Sequence, residues 1–595
     1  MTIPGVSPGA GDDANWTIDG IRGGPTGVLK DMRILFLVSA HNSLSQRAQV
    51  ALTELGHDID VAVVTTPLEM EAAVARSRPE LIVCPMLKTI IPQSIFERHR
   101  CLIVHPGPKG DRGPSSLDWA IELGAREWGV TVLEATAEVD GGDVWASQTF
   151  RMREAGKSSL YRHEVRRAAI DAVVRAVRDV AAGDAAPHRL DPSDPHVFGR
   201  PRPLVKQADR AIDWSADTTD TVLRRIRAAE GHPGVLDEIE GEPFHLFGGH
   251  REGMLRGRAG ELIAQRDGAI CRATADGAVW ITHLKAPGCF KLPAAYALRS
   301  VDVPEVPAPP TGDTWREIAY EERAGVGYLH FDFYNGAMST DQCRRLLAAY
   351  RHARSRPTRA IVLMGGRDFF SNGIHLNVIE AADDPATESW RNLHAIDDLV
   401  REIVETDSHL VISALAGDAA AGGVPFALAA DHVVAREDVV LNPYYRHMGG
   451  LYGSEYWTYL LPRRIGHDLA EELTSPPFGP MGTREAVWIG LLDDAVGDNV
   501  ERFRARVRAM ARDLAGAPDH GARLEAKRRA RRRDEQLKPL SAYRAEELAK
   551  SHVCFFGDDR SYHEARHRFV HKLGAPSVAE PVRRLHHGTG GRLSA

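Results

Sequence analysis

Met32-Arg33-Ile34-Leu35-Phe36-Leu37-Val38-Ser39 is the stretch that decides how the first third of the chain folds. Its near-continuous apolar run predicts a buried strand. Residues 43–55 follow with helical spacing and end at Gly56. Further strand-like runs lie at 59–64, 81–84 and 102–105, with helical segments between them. That alternation predicts a doubly wound parallel α/β sheet. Ligands in such sheets bind beyond the carboxyl ends of the strands. His105 lies at one such end, and the loop 86–92, with Leu87 and Ile90 as candidate binding residues, lies at another. On pattern alone, a nucleotide-binding domain reads the same way.

The chain has 595 residues, enough for about three or four domains. Its 43% hydrophobic and 26% charged residues are those of a globular protein. A net charge of -7 argues against a general nucleic-acid binder. No run approaches the roughly 20 apolar residues of a membrane-spanning helix. Residues 1–31 lack the basic-then-apolar order of a signal peptide. The six cysteines have no Cys-x-x-Cys spacing and read as reduced and buried, which predicts a cytoplasmic protein without a disulfide framework. No clustered His, Cys or carboxylate spacing predicts a metal site.

The expected organisation is a flexible leader at 1–31, an α/β domain at 32–185 and a small barrel-like domain at 186–300. A Pro-rich linker follows at 301–322, then a second α/β domain at 323–512, a helical segment at 513–575 and a tail at 576–595. The basic run at 527–533 reads as a solvated helix face.

The sequence around His105 carries chemistry. His105-Pro106-Gly107 is followed 35 residues later by Asp140-Gly141-Gly142. This resembles the active site of the folate-dependent formyltransferases. Moving a formyl group between nucleophiles passes through a tetrahedral intermediate whose collapse needs a proton near neutral pH. His can hold that proton, and a carboxylate nearby keeps the ring oriented. The resemblance implies His105 and Asp140 as catalytic residues. Formyltransferases carry Asn two residues before the His, and Ile103 stands there instead. The charged His105 or a backbone N–H must then meet the developing oxyanion. Arg112, Asp143 and Arg162 are further candidates for the cofactor site, with a turn role the favoured reading of Asp143. The segment 202–234 resembles the small domain that follows the catalytic domain in methionyl-tRNA formyltransferases.

Beyond the linker, two glycine loops, Phe370-Ser371-Asn372-Gly373-Ile374-His375 and Ala421-Gly422-Gly423-Val424-Pro425, resemble the oxyanion-hole loops of the crotonase (enoyl-CoA hydratase/isomerase) superfamily. The resemblance implies backbone donors at Ile374 and Gly422 that polarise a thioester carbonyl. It also implies thioester or coenzyme A contacts at Asn372, Gly373, His375 and Gly423. Hydratases place two carboxylates where this chain has Pro425 and Tyr444. Neither serves as a carboxylate base at neutral pH, so water addition is not expected.

The whole order resembles the HypX (HoxX) family of NiFe-hydrogenase maturation factors. Supporting stretches are His105 to Trp119 and Arg560 to Val570. The resemblance implies an α/β multidomain protein with a doubly wound formyltransferase domain, a small OB-like β-barrel, and a crotonase ββα-superhelix with C-terminal helices. It further implies formyl transfer from N10-formyl-tetrahydrofolate to coenzyme A and decarbonylation of formyl-CoA to CO. Tyr444 and Arg566 are the expected proton and cation groups of that second step, with Tyr445 and Arg568 as rivals. Implied partners are hydrogenase maturation proteins or the hydrogenase large subunit. Alternatives are a crotonase half that hydrolyses or stores the thioester, and a non-catalytic assembly protein.

Overall fold

The computed structural model describes residues 31–183, 185–191, 193–299, 302–309, 311–475 and 479–573. The tail and, apart from Asp31, the leader lie outside these residues. Among the described residues no helix is long and apolar enough to cross a membrane. All six cysteines are free, and Cys289 is exposed, contrary to the expectation of burial.

The first sheet consists of β1 (Arg33–Val38), β2 (Asp58–Val63), β3 (Leu81–Cys84), β4 (Cys101–His105), β5 (Glu127–Glu134) and β6 (Val144–Arg151), in the order β2-β1-β3-β4-β5-β6. β1 to β4 are parallel, as the alternation predicts. β5 and β6 depart from it: β5 runs antiparallel to β4, pairing Thr131 with His105, and β6 runs antiparallel to β5. The two form a hairpin, and its connection brings Val139 and Asp140 beside Ile103 and His105. Phe36, Val83, Leu102 and Val130 form one core with Ala169, Ala172 and Ala176 of helix Arg166–Ala182.

The second unit is an antiparallel sheet. Val235–Ile239, Glu242–Glu252, Ala278–Lys285, Ala269–Ala273 and Leu262–Arg266 pair in that order. Helix Thr219–Ala229 buries Val222, Leu223 and Ile226 against it. The Pro-rich segment is pinned to this sheet: Gln265 N donates to Pro304 O and Val306 N to Gln265 O.

The strand Ile318–Arg323, expected inside the linker, instead opens the third unit as an edge strand paired with Val326–Phe331. That large sheet continues in parallel through Ala360–Leu363, Leu410–Leu415, His432–Ala435 and Asp494–Ala495. A second small sheet joins Phe369–Ser371, Asp418–Ala420, Val440–Asn442 and Met481–Gly482. Each glycine loop leaves a strand of this small sheet, so the sheet sets the spacing between the loops. The boundary expected at 512 falls inside helix Val500–Gly516, whose Val500, Phe503 and Val507 pack under the large sheet. Helices His520–Leu537, Leu540–Phe556 and Ser561–Val570 follow.

The two halves meet through charged groups. Asp368 accepts from Ser159 Oγ (2.7 Å), Arg162 Nη1 (3.0 Å) and His163 Nε2 (3.0 Å). Arg166 pairs with Asp418 at 2.8 Å. Burial pushes the Asp368 carboxyl up, but His163, Arg162 and Ser159 outweigh it and hold it well below the usual carboxylate range. Its stabilising contribution is therefore complete above about pH 4, the value in an unfolded chain, and is lost as pH falls through the lower folded value. We expect Asp368→Asn to destabilise the protein by about 2 kcal/mol at pH 7. Denaturant unfolding should show the difference persisting at pH 5 and shrinking in stronger acid. Equal midpoints at pH 7 would make this cluster a passive contact.

Candidate active site

β4 ends at His105, and the turn that follows is fixed by hydrogen bonds to its carbonyls. Pro106 O accepts from Ser116 Oγ (2.8 Å) and Trp128 Nε1 (3.1 Å), and Gly107 O accepts from Thr131 Oγ1 (2.8 Å). Only glycine fits at 107, because a Cβ there would lie 2.6 Å from His105 Nε2.

His105 is 5% exposed and stands between two carboxylates. Its Nδ1 is 3.5 Å from Asp140 Oδ1, so the structure brings the expected pair together. Asp140 has a left-handed backbone (φ 53°), and its Oδ2 accepts from Gly113 N at 3.1 Å. The second carboxylate, Asp111, is nearer, with Oδ2 2.8 Å from His105 Nε2. Asp111 was not among the sequence candidates. It is buried, and its Oδ1 has no hydrogen-bond partner. Its signal in the sequence was its position in Gly110-Asp111-Arg112, six residues after the histidine. A ring flanked this way can donate from both nitrogens when protonated.

His105 opens onto a cavity of about 1160 Å³ walled by all three units. Leu87, Ile103, Asp140 and Arg162 of the first unit line it, together with Glu230 and His232 of the second and Asn372, Ala421 and Tyr444 of the third. Arg162 bridges the halves through Asp368 and lies over the Phe369 ring at 4.5 Å. Asn442 Nδ2 donates across the junction to Gln46 Oε1 at 3.0 Å.

Six of the nine expected cofactor residues are not among those that line this cavity: Ile90, Arg112 and Asp143 in the first unit, and Gly373, His375 and Gly423 in the third. Ile90 is 71% exposed, because its loop turns that side chain away while Leu87 packs inward. Arg112 is held by Glu138. Asp143 is exposed, and its carbonyl accepts from Glu134 N at the base of the β5–β6 connection.

In the third unit the two glycine loops touch. Gly373 has φ 75°, and a Cβ there would lie 3.1 Å from Gly422 N. A Cβ on Gly423 would collide with Ser371 O, and one on Gly422 with the Glu455 carboxyl. Ile374 and Gly422 thus sit on adjoining backbone segments, with Gly422 at the start of helix Gly423–Leu428. His375 is not a ligand-facing group. Its Nδ1 accepts from Val378 N at 3.2 Å as the cap of helix Leu376–Ala381, and burial lowers it to about 4. Pro425 is buried inside the helix after the loop.

Tyr444 lines the cavity and packs on His447, and burial raises its hydroxyl. Arg566, its expected cationic partner, is instead buried against Glu380, with Nε 2.7 Å from Oε2. The ionisable group next to the loop is Glu455, which no motif announced. Glu455 and Tyr456 both have left-handed backbones (φ 61° and 56°), a strained pairing for residues with side chains. Glu455 N donates to Asp397 Oδ1 at 2.8 Å. Its Oε2 accepts from Ser454 N (3.1 Å) and Tyr445 Oη (3.3 Å). Burial, then the Asp397 charge, push this carboxyl up to about 8. It is therefore an un-ionised acid at neutral pH, beside the Gly422 backbone. The structure also gathers Glu380, His567 and His571, a cluster with metal-ligand character that sequence spacing did not predict.

The sequence matches family models described as formyl transferase over residues 65–177, formyl transferase C-terminal domain over 204–301 and enoyl-CoA hydratase/isomerase over 321–576. Methionyl-tRNA formyltransferase of Variovorax paradoxus is 28% identical over 246 residues, 39% of this chain and 74% of the relative. Hydrogenase maturation factor HoxX of Bradyrhizobium diazoefficiens is 47% identical over 546 residues, 91% of this chain and 95% of the relative. The crystal structure of HypX from Aquifex aeolicus in complex with tetrahydrofolic acid aligns with a TM-score of 0.88 at 44% identity, over 92% of this chain and 97% of that one. With formyltransferase and crotonase units joined in one chain and similarity along nearly its full length, the chain belongs to the HypX/HoxX family of hydrogenase maturation factors.

Proposed function

We propose that the protein makes carbon monoxide, by moving formyl from N10-formyl-tetrahydrofolate to the thiol of coenzyme A and then decarbonylating formyl-CoA. The observation that carries this reading is the single cavity that runs from His105 to Asn372, Ala421 and Tyr444. A thioester formed beside His105 would lie in the same cavity as Asn372, Ala421 and Tyr444. The tetrahydrofolic acid held by the Aquifex relative supports folate as the formyl donor at the His105 end.

In the first reaction the N10–carbon bond breaks and the sulfur–carbon bond forms; N10 gains a proton, and the proton lost from the thiol restores the acid that gave it. His105 is that acid, held by Asp111 and Asp140. Ile103 leaves an aliphatic wall where an amide would otherwise meet the oxyanion, which suits a thiol acceptor that needs less help than an amine. In the second reaction the formyl C–H and C–S bonds break, sulfur gains a proton, and CO leaves. No oxidant or reductant is required. The Ile374 and Gly422 N–H groups polarise the carbonyl, and Glu455, held by Tyr445, exchanges the proton. The product's recipients are proposed to be hydrogenase maturation proteins or the hydrogenase large subunit, in line with the role of the Bradyrhizobium relative.

The test is CO trapping by deoxyhaemoglobin with purified protein, N10-formyl-tetrahydrofolate and coenzyme A. CO should accumulate only when both substrates are present. Crotonyl-CoA should stay unhydrated, since Pro425 and Tyr444 hold the hydratase carboxylate positions. Formate in place of CO would favour a thioester-hydrolysing crotonase half, and hydration of crotonyl-CoA would mean that the carboxylate positions are misassigned.

A further inference from the structure

Helix Leu376–Ala381 follows the Ile374 loop and carries Glu380 against the C-terminal helix Ser561–Val570. Two histidines one helical turn apart converge on the same carboxylate oxygen. His567 Nδ1 is 2.6 Å and His571 Nε2 is 3.4 Å from Glu380 Oε1. The two rings lie 4.2 Å apart. Three potential ligand atoms therefore lie within 4.8 Å of one another.

The other carboxylate oxygen is occupied. Arg566 Nε holds Oε2 at 2.7 Å, and Arg566 is itself fixed by His563 Nδ1 at 2.9 Å. Glu380 is thus oriented with one oxygen presented to both imidazoles. Such outer partners are the usual means of aiming a metal-binding carboxylate. His567 is 53% exposed and His571 31%, so an ion from solution can reach them. A single ion pair with Glu380 would need only one of these histidines.

We propose that Glu380, His567 and His571 form a binding site for a divalent cation of the Zn²⁺ class, with its remaining position open to solvent. Two imidazoles and one carboxylate suit borderline transition cations and not Mg²⁺ or Ca²⁺, which take oxygen ligands. Binding moves the proton of each neutral ring to its other nitrogen and leaves a lone pair for the metal. The ion clamps the C-terminal helix to the helix behind the Ile374 loop. Both segments face the active-site cavity, through Phe569 and Leu376. The site would therefore hold one wall of that cavity in place.

The experiment uses the full chain, stripped with a chelator and titrated with Zn²⁺ by calorimetry and with Co²⁺ by visible absorption. The chain also carries His586 and His587 near its C-terminus and an exposed Cys289, which are competing metal ligands. One equivalent of Zn²⁺ should bind, and should still bind in H586A/H587A and in Cys289→Ser. Glu380→Gln and H567A/H571A should each weaken it by at least about tenfold, with circular dichroism unchanged. The Co²⁺ spectrum should lack thiolate charge-transfer bands, and excess Mg²⁺ should not compete. If the double histidine variant misfolds, Glu380→Gln and the Co²⁺ spectrum of the parent still decide the matter. The proposal is overturned by the absence of saturable binding, by binding unchanged in Glu380→Gln, or by loss of the equivalent in the tail or cysteine variant.

Discussion

His105→Ala should lower formyl transfer to coenzyme A by roughly 10² to 10⁴ fold while tetrahydrofolate still binds. The amine leaving from the formyl carbon is a poor leaving group until N10 is protonated. Among the cavity residues that cluster at the carboxyl end of β4, His105 is the side chain best suited to do this near pH 7. Folate contacts with the walls at Leu87 and Ile103 are untouched by the change, so binding survives and the loss falls on turnover. Asp140→Asn and Asp111→Asn should each cost less than His105→Ala, because each leaves one carboxylate on the ring. Single-turnover transfer from labelled formyl-folate checks the ranking. A parent-like rate in His105→Ala would remove this residue from the reaction.

Much of this arrangement was legible before any coordinates. The apolar run of β1 and the alternation after it located the sheet, and the spacing of His105 and Asp140 marked two residues that the fold brings within 3.5 Å of each other. Local pattern did not reveal what depends on long-range pairing. β5 reads as an ordinary strand, and only its register against β4 makes it antiparallel. Asp111 looks like a loop aspartate until the chain folds back onto His105 Nε2. Ile90 is apolar and near a strand end, yet nothing local reveals that it points to solvent. Arg566 shows the opposite failure. As an arginine in the late segment that carries the family resemblance it reads as a cationic partner for the second step, but Glu380, 186 positions away, is the group that it pairs with. Glu455 escaped notice because its importance comes from burial beside Gly422, a property that no motif carries.

Glu455→Gln should lower CO release from directly supplied formyl-CoA by about 10² to 10⁴ fold, while formyl transfer at His105 continues and formyl-CoA accumulates. The resting acid gives its proton to sulfur as the C–S bond breaks, and its carboxylate then takes the formyl proton, so each turnover restores it. Glutamine keeps the shape and loses the exchange. Because Glu455 is pushed up to about 8, CO release in the parent should be level near neutral pH and fall as pH rises through 8. Stability separates this from simple damage. A carboxyl that stays protonated in the folded protein but ionises near 4.3 when unfolded destabilises the fold progressively between those two values as pH rises. Glutamine removes that penalty, so the variant should be at least as stable as the parent at pH 8, while Glu547, also raised to about 8, and Asp397, raised to about 6, keep part of the slope. Tyr445→Phe removes the hydroxyl that holds Oε2 and should slow CO release by less than Glu455→Gln. Tyr444→Phe should retain most of the rate, since Tyr444 packs on His447 and burial raises its hydroxyl, which keeps the phenol from exchanging its proton. If instead Tyr444→Phe abolishes CO release and Glu455→Gln spares it, the proton passes through the cavity wall and Glu455 is a buried structural acid.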